Sequence, residues 1–517
     1  MDDNKLANSV KHVMIVFLFC FVALISYITY FQVFKGPDIA ENPANVRVIA
    51  KKNEVLRGTI YDRNGTPLTS SERESELTQK RTYLYGELFA HEVGYSDTTY
   101  GLTGLEAVYE DELTKSNSIG NGFRQFISTV KVSNLIDSIK EDYAATGKMN
   151  FKENFKKFVS NIGVSDGSNE KVGNGIVTTL DSALQQVAYD ALGDNKGSVV
   201  ALNPKTGEIL AMVSKPSYDP NNLEYEITLA NEGDADNSPL IDRSIDGLYP
   251  PGSVFKTVTL SSALENIPGI ADRQFNDVGK ITFADGSELN NFAYQAHGTI
   301  DLRYAYRVSS NFVFGSLAME LGNDKLKATA ENFGFNSVIE GVGLTVTASR
   351  FPTLQSYEEG NIAQSGIGQG SVLATPMQMA LVAATVANDG VMMEPKLVNK
   401  IVDGQGNTVK ELESNEIRQV ISANIASTVK GYMQYLVSNN IYRWPAFDGT
   451  NAGGKTGTAD YKLADGTDAI PHGWFIAVAP IDDPQIAVAV IVENGESGAT
   501  GAAEIASLVV RKAVLGY

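Results

Sequence analysis

A long apolar run near the N-terminus is the feature that most constrains the fold of this chain, because so many consecutive apolar residues must be buried in a core or inserted into a membrane. Residues Val13–Phe34, VMIVFLFCFVALISYITYFQVF, carry no formal charge. About 20 apolar residues are enough to cross a bilayer as a helix, and the run is longer than the apolar part of a cleaved secretion signal. We therefore predict a transmembrane signal anchor over 13–34, after a cytoplasmic tail over 1–12. A buried core helix and a cleaved signal peptide are the alternatives.

The charges beside this run hardly decide which way the anchor points. Lys5 and Lys11 precede it, and Lys35, Arg47, Lys51 and Lys52 follow it, so the rule that positive charge marks the cytoplasmic side hardly favours either orientation. The short tail and the large cysteine-free body favour a single-pass protein of the cell membrane, with its body on the extracytoplasmic side.

The composition excludes several kinds of function. The 517 residues carry a net charge of −19, which argues against nucleic acid as a partner. The one cysteine, Cys20, lies in the apolar run, so the body has neither a disulfide nor a thiolate nucleophile. The four histidines lack the spacing of metal ligands, and we predict neither a metal site nor a cofactor.

Turn-rich segments divide the body into two regions. Residues 55–68, VLRGTIYDRNGTPL, predict two short strands around an Asp-Arg-Asn-Gly turn, and 153–162 predict a helix. Residues 163–175, GVSDGSNEKVGNG, have the composition of a linker. We place a domain boundary there, between a mixed α/β region over 35–175 and a larger domain over 176–517.

The larger domain opens with a helix and a hairpin. Asp181 is placed to cap a helix with apolar residues at helical spacing. Two β-rich runs follow, Val199–Leu202 and Ile209–Val213, and their Asn-Pro-Lys-Thr-Gly connection predicts a hairpin. The triplet Lys205-Thr206-Gly207 is thereby explained as part of a turn.

Serine and lysine three residues apart share a helix face, so the amine can activate the hydroxyl as a nucleophile. The spacing begins at Ser128, Ser168, Ser253 and Ser427. Ser168 lies in the polar linker, and Ser128 and Ser427 lie in amphipathic stretches. Ser253, with Lys256, follows Pro-Pro-Gly and starts an apolar helical run, where helix N–H groups favour a developing negative charge. Both a plain helix cap and a nucleophile fit this position.

Serine and asparagine two residues apart also recur, at Ser309, Ser422 and Ser438. The last two frame or fill one helix, where they are typical of capping or exposed residues. Ser309-Ser310-Asn311 interrupts a strongly apolar segment, where polar groups need partners. This pair is either functional or a hydrogen-bonded pair inside a helix.

The second Lys-Thr-Gly triplet, Lys455-Thr456-Gly457, runs into Thr458 and follows two glycines. Such glycines let another backbone approach a strand closely. A peptide can add along this strand, with its carboxylate met by Lys455, Thr456 and Thr458. The first triplet precedes every plausible nucleophile, so the second is the predicted site.

In this order, the three motifs at Ser253, Ser309 and Lys455 resemble the active site of penicillin-binding proteins. Four longer segments support the resemblance. The N-terminal pedestal motifs of class B enzymes are similar to residues 57–65 and 101–113, and segments of their transpeptidase domain are similar to residues 366–390 and 472–480. The chain is identified as a member of the class B penicillin-binding proteins, of the short penicillin-binding protein A-like type.

The resemblance implies both a fold and an activity. The fold is α/β: a transpeptidase domain like that of penicillin-binding proteins and serine β-lactamases, with an antiparallel sheet flanked by helices, after a mixed α/β pedestal and one transmembrane helix. The activity is peptidoglycan D,D-transpeptidation, in which a Ser253 acyl-enzyme cross-links stem peptides ending in D-Ala-D-Ala. β-Lactams are then covalent inhibitors, and a membrane-embedded SEDS-type glycan polymerase is the expected partner.

The resemblance also implies a role for each motif residue. Lys256 is the base for Ser253, Ser309 relays a proton to the leaving amine with help from Lys455, and Asn311 holds the substrate backbone. The remaining expected residues bind substrate or form the oxyanion hole: Thr456, Gly457 and Thr458 for substrate, and the N–H groups of Ser253 and Thr458 for the oxyanion.

Two other functions stay open. A serine β-lactamase shares the nucleophile but must hydrolyse its acyl-enzyme, and the segment Glu288-Leu289-Asn290 is similar to a hydrolytic-base motif. That segment precedes Ser309, whereas the family motif follows it, so we predict a turn there. A catalytically weak scaffold or β-lactam sensor is the other alternative, although every motif residue is present.

Overall fold

A long helix, α1 (Asp3–Tyr30), is the first element. The computed structural model describes residues 3–31, 35, 53–75, 78–115, 171–232, 238–462 and 466–517. The window Lys11–Tyr30 of α1 has a mean hydropathy of 2.5 and is not buried. The helix is therefore long and apolar enough to cross a membrane, although residues 32–34 of the predicted span lie outside the described part.

Short elements make up the region after α1. They are β1 (Val55–Leu56), β2 (Ile60–Tyr61), β3 (Thr69–Ser75), β4 (Thr78–Tyr83), α2 (Ala90–Val93), β5 (Ser96–Asp97), β6 (Gly101–Leu102), α3 (Gly104–Val108), α4 (Glu110–Leu113), β7 (Lys171–Val172) and β8 (Gly175–Thr178). The predicted turn follows β2, where Asp62 Oδ1 accepts 2.8 Å hydrogen bonds from the N–H groups of Asn64 and Thr66. The helix predicted at 153–162, Ser128 and Ser168 lie outside the described residues.

A buried ion pair network fixes this region. Glu106 is fully buried and pairs with Arg57 and, at 2.7 Å, with Arg81 Nε. Burial alone would raise the pKa of Glu106, but the two guanidinium groups lower it below its ordinary value. Arg57 and Glu106 come from the two segments similar to pedestal motifs, so those segments are joined through one ion pair.

The larger domain contains the other described helices and strands. In chain order they are α5 (Ser182–Leu192), β9 (Gly197–Leu202), β10 (Ile209–Lys215), α6 (Leu223–Glu232), α7 (Lys256–Asn266), β11 (Gln274–Asp277), β12 (Lys280–Thr282), β13 (Glu288–Asn290), β14 (Gly298–Asp301), α8 (Leu302–Arg307), α9 (Asn311–Asn332), β15 (Ile339–Gly341), β16 (Leu344–Val346), α10 (Glu359–Gly366), α11 (Pro376–Ala387), β17 (Val391–Met393), β18 (Val398–Val402), β19 (Thr408–Glu411), β20 (Glu416–Gln419), α12 (Ala423–Ser438), β21 (Gly453–Ala459), β22 (His472–Ala479), β23 (Ile486–Val492) and α13 (Gly501–Leu515). Two predictions are confirmed at its start. Asp181 caps α5 by accepting hydrogen bonds from the N–H groups of Ala183 and Leu184, and β9 and β10 form the hairpin.

A five-stranded antiparallel sheet, in the order β10–β9–β23–β22–β21, forms the centre of this domain. In β23, residues 486, 488, 490 and 492 pack in one hydrophobic cluster with α5 and α13, and residues 487, 489 and 491 pack in another with α11. Alternate residues point to opposite faces, so a sheet covered on both faces is apolar at every position. The predicted antiparallel sheet flanked by helices is confirmed.

Strand β8 belongs to both regions of the chain. It pairs parallel with β2 and antiparallel with β18, in a four-stranded sheet of order β19–β18–β8–β2. Ile176 lies opposite Ile60 on one side and Ile401 on the other. The boundary placed at 175–176 thus falls inside a shared strand, and the division between the domains stays a prediction.

Candidate active site

Ser253 lies in a 3₁₀ turn over Gly252–Phe255 that leads directly into α7. Gly252 has a φ of +54°, and a Cβ there would lie 2.3 Å from the carbonyl oxygen of Thr458 in β21. Glycine tolerates this conformation and this approach because it has no side chain. The turn is therefore packed against β21, with Ser253 half-buried and Lys256 fully buried.

A tight turn between α8 and α9 holds the second motif. Ser309 has a φ of +58°, an uncommon left-handed conformation for a residue with a Cβ. Ser310 caps α9 by accepting a 3.0 Å hydrogen bond from Val313 N. Ser309 and Asn311 are not a pair inside a helix, because Ser309 precedes α9 and both side chains contact lysines.

Two lysine amines converge on this turn. Lys256 Nζ lies 2.7 Å from the Ser309 carbonyl oxygen, 2.7 Å from Asn311 Oδ1 and 3.2 Å from Ser309 Oγ. Lys455 Nζ, from β21, lies 3.0 Å from the same Oγ. The structure thus brings residues of all three motifs together. Within the described ranges the Ser253 hydroxyl has no hydrogen bond, so its expected contact with Lys256 is not formed.

Strand β21 presents a free edge at this site. Among the described strands it pairs only with β22, so its other edge can add a further strand, although Thr456 O there already accepts a 2.8 Å hydrogen bond from Lys455 Nζ. Thr458 is exposed and Thr456 half-buried. On the inner side, a Cβ at Gly457 would lie 2.9 Å from Trp474 Cβ, and Trp474 Nε1 donates a 3.0 Å hydrogen bond to Pro250 O. This glycine therefore allows close packing beside the segment that precedes Ser253.

Burial lowers the proton affinity of both amines, and like charge lowers that of Lys256 further. Burial lowers the pKa of Lys256 well below its ordinary value, the charge of Lys455 lowers it further, and Asp277 opposes both effects. Burial lowers the pKa of Lys455 to about 7. Groups that titrate near neutral pH can both accept and donate protons.

The other motif copies have structural partners instead. Lys205 lies exposed in the β9–β10 turn and pairs with Asp483, so its prediction as a turn residue is confirmed. Ser427 lies in α12, and Lys430 pairs with an aspartate at 2.8 Å. Ser422 caps the same helix, as predicted.

The turn predicted at Glu288-Leu289-Asn290 is wrong. These residues form β13, which pairs with β12, and Glu288 forms an ion pair with Lys280. Three residues are too few for their alternation to indicate a strand. The strand also reaches the site, because Asn311 Nδ2 donates a 2.7 Å hydrogen bond to Asn290 O.

Asp277 is a site residue that the sequence analysis missed. It is buried, and its Oδ2 accepts a 2.7 Å hydrogen bond from Ser310 Oγ. No motif marks it, since it precedes Ser310 by a hairpin and a helix and stands in the turn-like sequence Asn-Asp-Val-Gly.

Sequence comparisons agree with this geometry. The family described as "Penicillin binding protein transpeptidase domain" matches residues 197–512, and "Penicillin binding protein A dimerisation domain" matches residues 57–132. Peptidoglycan D,D-transpeptidase PbpA of Mycolicibacterium smegmatis is 31% identical over 96% of this chain and 96% of its own length. The PbpA of Mycobacterium tuberculosis is 30% identical over 98% of this chain and 99% of its own length.

Solved structures give the same result. Penicillin-binding protein A from M. tuberculosis, solved as a ceftriaxone acyl-enzyme complex, has a TM-score of 0.74 and 29% identity over 90% of this chain and 100% of that one. The D,D-transpeptidase domain of a peptidoglycan glycosyltransferase from Eggerthella lenta has a TM-score of 0.72 and 31% identity over 90% and 99%. With more than half of its length inside the transpeptidase match, this chain belongs to the penicillin-binding protein transpeptidases, as a class B member of the penicillin-binding protein A type.

Proposed function

We propose that this chain is a peptidoglycan D,D-transpeptidase in which Ser253 attacks the D-Ala-D-Ala end of a stem peptide. The observation that carries the proposal is the position of the Ser309 hydroxyl, 3.2 and 3.0 Å from the amines of Lys256 and Lys455. A hydroxyl between two amines of lowered pKa is suited to relay a proton. The relatives named above are themselves called peptidoglycan D,D-transpeptidases.

In the acylation step, Lys256 accepts the Ser253 proton while the serine oxygen bonds to the carbonyl carbon of the penultimate D-Ala. The C–N bond then breaks, and the terminal D-Ala leaves as an amine that receives a proton through Ser309. Lys455 supports this transfer by its contact with the Ser309 hydroxyl. The lowered pKa of Lys256 favours its role as the base, since it increases the share of the neutral amine.

The backbone N–H groups of Ser253 and Thr458 form the oxyanion hole of this mechanism. Their segments are in contact at Gly252, as its packing against Thr458 O indicates. Substrate peptide adds to the free edge of β21, along Thr456, Gly457 and Thr458. Asn311 uses one Nδ2 hydrogen on Asn290 O, which leaves its second for a substrate carbonyl.

In the second step, an amine of a neighbouring stem attacks the ester carbonyl. The new amide bond forms, the ester bond to Ser253 breaks, and the proton released by the amine returns to the serine oxygen through Lys256. A β-lactam acylates Ser253 in the same way, but its ring nitrogen stays attached to the acyl group after the C–N bond opens. The leaving group therefore stays in the site and blocks the acceptor amine.

Two observations disfavour the other functions. A β-lactamase needs a base for its hydrolytic water, and Glu288 is instead paired with Lys280 in a hairpin. A scaffold has no need for two buried lysines of lowered pKa, yet Lys256 and Lys455 are both fully buried.

The exposed apolar surface of α1 supports a membrane anchor. We infer that α1 spans the cell membrane, that the larger domain is extracytoplasmic, and that a membrane-embedded SEDS-type glycan polymerase binds α1 and the region over 35–175. To test the topology, Cys20→Ser removes the one cysteine, and Asp285→Cys adds one in an exposed hairpin. Labelling of intact cells by an impermeant maleimide is expected, and labelling only after lysis would contradict it.

The main test is a time course of fluorescent-penicillin labelling on the full chain in detergent. We expect a long-lived label on the wild type, none on Ser253→Ala, and a normal label on Ser427→Ala, which changes another serine of the same spacing. Rapid loss of the label with hydrolysis of the drug would establish a β-lactamase. No label on the wild type would favour a scaffold, and an adduct mapped to another serine would exclude Ser253 as nucleophile.

A further inference from the structure

A carboxylate that the mechanism above does not use lies behind the Ser309–Asn311 turn. Asp277, the last residue of β11, is 1% exposed. Its Oδ1 accepts hydrogen bonds from Gly279 N at 2.8 Å and Asn291 Nδ2 at 2.9 Å, and its Oδ2 accepts one from Ser310 Oγ at 2.7 Å. Buried carboxylates are usually paired with a cation, yet among the described residues every direct partner of Asp277 is neutral. The buried charge therefore needs another explanation.

Two of these partners hold the ends of the catalytic turn. Ser310, which donates to Asp277, accepts the hydrogen bond from Val313 N that caps α9. Asn291, the other donor, accepts a 2.9 Å hydrogen bond from Phe312 N through its Oδ1. Positions 310 and 312 are thus fixed to one carboxylate, and Asn311 between them contacts Lys256.

The same carboxylate balances charge in the site. The Lys256 amine faces Ser309, Asn311 and, at 5.6 Å, the ring of Phe314, all of which are neutral. The charges that act on it are those of Lys455 and Asp277, in opposite directions. Without Asp277, no carboxylate among the described residues would offset the two buried amines, which is costly in a low-dielectric site.

We propose that Asp277 is a positioning residue of the transpeptidase, which locks the Ser309–Asn311 turn and supplies the negative charge that lets two buried amines share one site. The proposal rests on the roles proposed above for Lys256 and Ser309. It gives Asp277 two separable functions, one of geometry and one of charge, and each predicts a different change in the kinetics.

The test measures the rate constant for acylation by a fluorescent penicillin across pH, on the full chain in detergent. Asp277→Asn keeps the shape and removes the charge. The neutral Lys256 amine is the active form, and loss of a negative charge disfavours its protonated form. The acid limb of the profile is therefore expected to move to lower pH by about one unit, with a plateau rate lower by roughly tenfold or more.

Ser310→Ala keeps the charge and breaks the contact with the turn. We expect it to slow acylation by roughly tenfold while the acid limb stays where it is in the wild type. Asp181→Asn is the matched control, because it makes the same chemical change at the cap of α5. This control is expected to change neither the acylation rate nor the pH of the acid limb.

A wild-type acid limb in Asp277→Asn would overturn the charge function, and wild-type acylation by Ser310→Ala would overturn the geometric one. Should Asp277→Asn fail to fold, Asp277→Glu retains the charge but moves it by one methylene. That variant is expected to acylate slowly with an unmoved limb, and a normal rate would again overturn the geometric function. A wild-type protein that takes no label would refute the transpeptidase proposal itself, which separates the two failures.

Discussion

The close packing of the Gly252–Phe255 turn on β21 depends on the missing side chain at Gly252. We expect Gly252→Ala to block acylation while most of the fold survives. The new Cβ would lie 2.3 Å from Thr458 O and 2.9 Å from Thr458 C, which are both backbone atoms. Because no flexible side chain can give way, the turn and the strand have to separate by about 1 Å to reach ordinary contact distances.

The magnitude follows from what that separation does to the oxyanion hole. The proposed N–H donors, on Ser253 and Thr458, belong to the two segments that move apart. Loss of one such donor lowers the rate about 100-fold to 1,000-fold, and a displacement of about 1 Å has an effect of about 100-fold. The left-handed φ adds about 1–2 kcal/mol of strain for alanine. We expect acylation by fluorescent penicillin to slow by about 100-fold or more, with a modest fall in melting temperature.

Gly269→Ala is the matched control for this substitution. Gly269 also has a left-handed φ, +72°, but a Cβ there meets nothing within 4 Å. The control therefore carries the strain without the clash, and its melting temperature should fall while its acylation rate stays normal. Equal acylation rates in the two variants would refute the inference that packing at Gly252 builds the oxyanion hole.

Three further outcomes are expected. Lys455→Met should abolish acylation yet raise the melting temperature below about pH 7, because the folded state lowers the pKa of Lys455 to about 7 and so holds that proton less tightly than the unfolded state does. The gain in melting temperature should shrink as the pH rises towards 10.5. A variant that shows no such gain would contradict the lowered pKa. Glu106→Gln removes the carboxylate that pairs with both Arg57 and Arg81, and leaves Arg57 with Glu110 at 3.7 Å. Loss of such a buried partner costs about 3–5 kcal/mol, so limited proteolysis should cut the region over 53–115 faster. The wild type should show the same weakness in acid, since the stabilisation from the lowered pKa of Glu106 is lost as the pH falls through that pKa. Lys205→Ala should take the penicillin label at the wild-type rate, because Lys205 lies in an exposed turn with Asp483; a slow variant would contradict the choice of the second triplet.

Features with local causes could be predicted from the sequence. Asp181 caps α5 with N–H groups two and three residues away, and the β9–β10 hairpin is set by its own turn. The strands of the central sheet are apolar because they are covered on both faces, but the sheet itself is predicted from the family resemblance. The local contexts predicted for two of the repeated motifs also agree with the structure, since Ser253 lies at the entry to a helix and Lys205 lies in a turn.

Features that depend on distant segments could not be predicted. The left-handed Ser309 and the approach of Gly252 to Thr458 are properties of the assembled site. Asn290 enters the site through its backbone carbonyl, which has no sequence signature. Asp277 looks like a turn residue until the fold places it beside Ser310.

The hydrogen bonds around the two lysines bear on how a proton can be shared between them. Each amine has three oxygens within hydrogen-bond distance. They lie 2.7, 2.7 and 3.2 Å from Lys256 Nζ, and 2.8, 3.0 and 3.5 Å from Lys455 Nζ. Ser309 Oγ is the oxygen that the two amines share.

The shared Ser309 hydroxyl limits how many protons the two amines can hold in the proposed relay. If both amines were ammonium ions, the Ser309 hydrogen would have no acceptor between them, because an ammonium ion has no lone pair. In the proposed mechanism one of the two amines is therefore neutral, and the lowered pKa of Lys256 suits it to take the proton of Ser253 and to pass it through Ser309 to the leaving amine. Because the two amines then share one proton, the pH profile of acylation should report the pair rather than either lysine.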